Sequence, residues 1–216
     1  MTCHSSAVPF PFYLVTDRRI PGNLPLVDRL RTLAEASPAG TFAVQVREKD
    51  LCANDLLQLV RDVVTAVRPR GVPVFVNDRA DLAMAAGADG VHLPGNGLDP
   101  AALRRVYPGL IGVSTHSREE LASLEPGMVD FATFGPVFTT PSKLPYGPPQ
   151  GIGALRDAVA AARVPVFAIG GIKAETAADL KGTGIAGIAA ISAVLASSDP
   201  VTSLESLIRL ASVPGC

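Results

Sequence analysis

Short apolar runs of strand length alternate with amphipathic stretches from one end of the chain to the other. Residues 12–17 (Phe-Tyr-Leu-Val-Thr-Asp) form a near-continuous apolar run, as expected of a strand covered on both faces. Residues 24–36 follow with helical periodicity after a Pro-Gly break. The same reading predicts strands over 41–49, 73–78, 90–94, 110–116, 129–137, 164–170 and 187–193. Helices are expected over 54–67, up to Ala86, over 101–107 with Asp99 as the start, from Ser117, and over 152–162, 174–181 and 200–211. Ser117 and Glu120 have the spacing of a capping box. Residues 1–10 are polar and Pro-interrupted and read as a loose lead-in, whereas 138–150, rich in Thr, Ser, Pro and Gly, read as a lid or binding loop. Eight such strand-helix units in 216 residues predict an α/β protein, a single-domain (β/α)8 TIM barrel with right-handed crossovers.

Composition narrows the function classes. Aromatics are 5% of residues with no Trp, which suits helix-on-sheet packing better than nucleobase stacking. A net charge of -1 gives no electrostatic case for nucleic acid. Cys3, Cys52 and Cys216 are too few and too scattered for a disulfide framework or a metal knuckle, so a reducing cytoplasm is the expected compartment. The N-terminus lacks the features of a signal peptide, and no apolar run reaches the roughly 18 residues of a membrane span. No membrane partner is expected.

Polar residues that interrupt buried strands need a reason. Gln45, Arg47 and Lys49 recur with period two and share one face at the end of the second strand, as an anion clamp at the barrel mouth or as a salt-bridged interior. Asn77 and Asp78 end the third strand, where they could equally cap a turn. His92, inside the fourth, reads as a hydrogen-bonded core histidine more readily than as a catalyst. Ser114 and His116 share a face at the tip of the fifth, where a histidine can move protons near neutral pH. Lys143 sits in the long loop. Gly170 and Gly171 after the seventh strand, with Ile191 and Ser192 after the eighth, offer backbone N–H groups for a phosphate.

These segments together resemble the thiamine phosphate synthase and TenI superfamily of small barrels. The likeness runs from Tyr13-Leu-Val-Thr-Asp17 through Gln45-Val-Arg-Glu-Lys49, Val76-Asn-Asp-Arg-Ala-Asp-Leu82, Gly87-Ala-Asp-Gly-Val-His-Leu93, Gly112-Val-Ser-Thr-His116 and Phe134-Gly-Pro-Val-Phe138 to Ala168-Ile-Gly-Gly-Ile172 and Ile191-Ser-Ala193. In the synthase branch the resemblance implies a Mg²⁺ held by two aspartates. Asp78 matches the first, but Gly97 stands where the second is expected, with Asp99 two residues on. The TenI-like branch implies a thiazole tautomerase that needs no cofactor, and Ser114-Thr-His-Ser-Arg-Glu-Glu120 matches its proton-transfer segment. The expectation is therefore a tautomerase of a carboxythiazole phosphate. His116 would be its catalytic residue, Gln45, Arg47, Lys49, Asn77, Ser114 and Lys143 would bind substrate, and Gly170, Gly171, Ile191 and Ser192 the phosphate. The alternatives are a Mg²⁺-dependent thiamine phosphate synthase using Asp78, and a non-catalytic regulatory protein that binds thiazole phosphate. A homo-oligomer, dimer or tetramer, is the expected assembly.

Overall fold

A computed structural model describes residues 8–140 and 148–212. Its strands are β1 (Phe12–Val15), β2 (Phe42–Val46), β3 (Val74–Asn77), β4 (Gly90–Leu93), β5 (Leu110–Thr115), β6 (Phe131–Phe134), β7 (Val166–Ile169) and β8 (Gly187–Ala190). They pair in chain order, all parallel, and β8 closes on β1. The helices that return the chain are α1 (Leu26–Ala36), α2 (Ala53–Val67), α3 (Ala80–Ala86), α4 (Pro100–Arg104), α5 (Arg118–Ala122), α6 (Gly151–Ala161), α7 (Ala174–Ala177), α8 (Ser192–Leu195) and α9 (Pro200–Ala211). Eight closed parallel strands with alternating helices are the expected (β/α)8 barrel.

Several boundaries differ from the sequence reading. The second strand ends at Val46, so Arg47 and Lys49 lie in the loop at the mouth rather than in the ladder. The sixth spans only 131–134, because Pro136 has no N–H to continue it. The eighth stops at Ala190, and Ser192 opens the short α8 instead of ending a strand.

Alternation along each strand separates two cores. Outward residues such as Phe12, Leu14, Val44, Val46, Val74 and Val76 pack under the helices. Inward residues Tyr13, Phe75, Phe131 and Phe167 fill the lower barrel with ring centroids as close as 5.3 Å. Burying each such ring contributes roughly 1.5–3 kcal/mol. Room for them comes from glycine on the paired strand: Phe75 lies beside Gly90, Phe131 beside Gly112 and Phe167 beside Gly187. The lead-in proves to be part of this core from residue 8 onward. Val8 and Phe10 are buried, and Phe10 stacks on Tyr13 and closes the lower end of the barrel. Among the described residues no helix is long and apolar enough to cross a membrane.

Candidate active site

Because all eight strands run the same way, their C-terminal ends and the following loops share one rim. Gln45, Arg47, Lys49, Asn77, Asp78, Ser114, His116, Gly170, Gly171, Ile191 and Ser192 all lie at those ends. Lys143 lies outside the described residues.

The β1–β2 side of the rim is a braced network. Glu48, pointing away from the barrel interior and 4% exposed, accepts from Thr16 Oγ1 at 2.6 Å and from the Arg18 amide at 3.0 and 3.1 Å. Thr16 Oγ1 in turn accepts from the Arg47 amide at 3.0 Å. The Arg18 guanidinium grips Asp50 at 2.6 Å, and Arg19 holds Asp17, whose carboxyl lies below its usual range chiefly through that hydrogen bond. No ion pair engages Arg47 or Lys49 among the described residues. The salt-bridged-interior reading of these cations therefore falls.

Below them Gln45, buried inside the barrel, donates from Nε2 to Asn77 Oδ1 at 3.4 Å. Asp78 follows with φ 64°, a left-handed backbone that, glycine aside, residues with short polar side chains adopt most readily. Its neighbour Arg79 pairs with Asp81 at 2.6 Å, so the exposed Asp78 carboxylate has no hydrogen bond or ion pair among the described residues. Asp99 is committed elsewhere: its Oδ1 caps α4 by accepting from the Ala101 amide at 3.1 Å.

His92 is buried inside the barrel, its Nε2 2.9 Å from Ser114 Oγ and its Nδ1 3.5 Å from the Tyr13 hydroxyl. Desolvation, with the charge of Arg47 adding to it, pushes its pKa down to about 3, so the ring is neutral. His116 stands exposed at the tip of β5, and its Nδ1–H donates to the Gly135 carbonyl at 2.6 Å. Ser117 caps α5 as expected, while Glu120 reaches back to the His116 amide rather than to that of Ser117. Gln150 donates from Nε2 to the His116 carbonyl at 2.8 Å and from its backbone N–H to Pro136 O at 2.8 Å, so the far end of the long loop is tied to the β5–β6 rim, while the Phe138 N–H at its start bonds Gly170 O at 3.0 Å.

On the opposite side β7 and β8 end side by side. Gly170 (φ 98°) and Gly171 (φ 67°) turn the chain there, and a Cβ on Gly171 would lie 2.6 Å from Thr139 O and 2.7 Å from Phe138 Cβ. Val194 and Leu195 amides already use the Ile191 carbonyl, so the amides of Ser192 and Ala193 precede the helical ladder. Arg47 and Lys49 on one side and these amides on the other make a mouth with two anion-accepting edges.

Tyr13, Thr16, Glu48 and Gln150 escaped the sequence reading. Glu48 alone had a readable signal, a carboxylate on the strand face that must be buried and therefore needs donors. A crevice of about 550 Å³ between α1 and α2 offers Arg31 and Arg70, but both are engaged, by Asp28 and by the Glu35 carbonyl.

Residues 12–194 match the family model described as thiamine monophosphate synthase. A protein of Geobacter sulfurreducens named putative thiamine-phosphate synthase is 44% identical over 206 residues, 94% of this chain and 95% of that one. The thiamine-phosphate synthase of Azorhizobium caulinodans is 38% identical, over 93% of this chain and 96% of the relative. The solved thiamine phosphate pyrophosphorylase of Pyrococcus furiosus superposes with a TM-score of 0.83 at 31% identity, covering 94% of this chain and 96% of that one. The expected tautomerase is thereby overturned, since relatives at 34–44% identity over most of the chain carry the synthase name. One missing carboxylate at Gly97 does not exclude the synthase. Mg²⁺ needs only one or two carboxylates when substrate phosphates complete its shell.

That shell is also the test of whether the ion fits here. The exposed carboxylate of Asp78 on the rim is a suitable hard oxygen donor, whereas Asp99 is spent as a helix cap. The described residues contain no group of three acidic, His or Cys side chains that would hold a cation unaided. The donor set fits a Mg²⁺ that arrives with a diphosphate.

Proposed function

Since the chain belongs to the thiamine monophosphate synthase family of enzymes, we propose that it is a thiamine-phosphate synthase. In this reading the ring nitrogen of a thiazole phosphate bonds to the methylene carbon of a pyrimidine diphosphate, and the carbon–oxygen bond to diphosphate breaks. The observation that carries it is that Asp78, Arg47 and Lys49, at the ends of the neighbouring strands β2 and β3, have no ion pair among the described residues, in a chain whose full-length relatives are named synthases. Two cations and one carboxylate suit a diphosphate better than a singly charged substrate.

The thiazole phosphate would rest on the amides around Gly170, Gly171, Ile191 and Ser192, which fixes its ring over the mouth. Arg47 and Lys49 would hold the diphosphate and offset the charge that grows on it as it leaves. Gln45, Asn77 and Ser114 lie between these edges and would contact the pyrimidine. Asp78 would be the chain's ligand to Mg²⁺, which when bound would neutralise part of the leaving diphosphate. The reading places the enzyme in the cytoplasm.

The test is to incubate the protein with both substrates and follow thiamine phosphate. Product should form with Mg²⁺ and stop when EDTA is added, and Asp78→Ala should lower turnover by at least about 100-fold, the scale of losing an electrostatic stabiliser. No product with metal supplied, or full turnover in EDTA, refutes the reading.

A further inference from the structure

We propose that Tyr13 and His92 are positioning residues that present the Ser114 hydroxyl to the mouth as a hydrogen-bond donor. Three side chains, on β1, β4 and β5, form one hydrogen-bonded chain. Tyr13 is fully buried, and its hydroxyl has the His92 imidazole as partner, 3.5 Å from Nδ1. A phenol in that setting keeps its proton, since burial raises its pKa well above the ordinary value. Among the described residues His92 Nδ1 is the one hydrogen-bond partner of that hydroxyl, so donating to it is the arrangement that leaves no buried O–H unpaired. A neutral imidazole with Nδ1 accepting carries its proton on Nε2. That Nε2–H points at Ser114 Oγ, 2.9 Å away, and occupies one lone pair of the hydroxyl. The hydrogen of Ser114 is left over, and Ser114, unlike its buried neighbours Val113 and Thr115, is partly exposed at the end of β5.

The ring has little freedom to do otherwise. It lies 5.6 Å from the Tyr13 ring and 5.8 Å from that of Phe131, centroid to centroid, and a Cβ on Gly112 would come within 2.7 Å of its Nδ1. The polarity is the reverse of a nucleophilic triad, in which the histidine accepts the serine proton. Ser114 is thus not activated to attack; it recognises an acceptor atom on the substrate. Which substrate brings that atom rests on the synthase reading, where it is a pyrimidine ring nitrogen or a diphosphate oxygen.

The deciding measurement is nitrogen-15 NMR of the imidazoles in the intact protein, where two-bond couplings show which nitrogen is protonated. His92 should be a single Nε2–H tautomer from pH 8 to pH 5, and Tyr13→Phe should mix the two tautomers. An Nδ1–H ring, or a mixture in the unaltered protein, overturns the proposal whatever the reaction is. Kinetics supply the second arm. Tyr13→Phe and His92→Leu should each lower kcat/KM by about ten-fold, the scale of one hydrogen bond, and His92→Gln, which retains a donor, should recover most of the loss. In a Ser114→Ala background the same changes should have less than about a two-fold effect, because their path runs through that hydroxyl. Equal factors in both backgrounds would make Tyr13 and His92 merely structural. If His92→Leu does not fold, Tyr13→Phe carries the cycle. Absence of turnover in every form would refute the synthase reading and leave the tautomer to decide this one.

Discussion

Gly112→Ala tests the packing on which the site stands. The added methyl would sit 2.6 Å from Phe131 Cζ and 2.7 Å from His92 Nδ1. Comfortable carbon contacts are about 3.5–4.0 Å, so one ring must move by roughly an ångström. Phe131 cannot retreat, with Phe10, Tyr13, Phe75 and Phe167 around it at centroid distances of 5.3–5.8 Å. Overpacking of such a core costs about 1–3 kcal/mol, or about 2–12 °C of melting temperature in a domain of this size. Gly153→Ala is the control: nothing lies within 4 Å of its Cβ, and its place in α6 should bring a gain of up to about 1 kcal/mol. Calorimetry and urea unfolding of both variants read the difference. A Gly112→Ala protein melting within about 1 °C of the parent would show that the aromatic layer has slack, and the reasoning about His92 would lose its support.

The pKa of His92 sets a pH dependence with a definite sign. Its value of about 3 in the folded chain is below the unfolded 6.5, so on acidification the unfolded chain takes up a proton first. Stability present above pH 6.5 should be lost as pH falls toward 3, by roughly 2 kcal/mol at pH 5, and His92→Gln should lack that increment in urea midpoints compared at pH 7.5 and pH 5. Glu48→Gln places an amide against the Arg18 N–H, leaves a buried donor unmatched and should cost about 1–3 kcal/mol in thermal unfolding. Arg47→Ala should raise KM for the diphosphate substrate by about 10-fold or more and flatten its dependence on salt, and an unchanged KM would place the diphosphate elsewhere.

Much of the architecture was legible locally. Runs of four to six apolar residues with amphipathic spacers foretold the parallel strands, and charged or small residues at the strand ends marked the rim. The likeness that named the superfamily was likewise carried by short segments in order. The choice between its branches failed because Gly97 was read alone, apart from the diphosphate oxygens that can stand in for a missing ligand. Residues 8–10 of the lead-in gave no signal for a related reason: Phe10 sits among Pro residues with no periodic pattern, and the rings it packs against lie on β1, β3, β6 and β7.

Periodicity and residue type are properties of neighbours along the chain, so the order of strands and helices, and the placement of Arg47, Lys49, Asp78 and the paired glycines at strand ends, were determined by the sequence itself. Closure of the barrel decided the rest, because it joins residues far apart in the chain. Tyr13 meets His92 across 79 positions, and Thr16 meets Glu48 across 32. Only the tertiary structure brought Glu48 to its donors and set the direction of the proton on His92. Hydrogen-bond direction depends on which partners are present in space, and no local pattern encodes it.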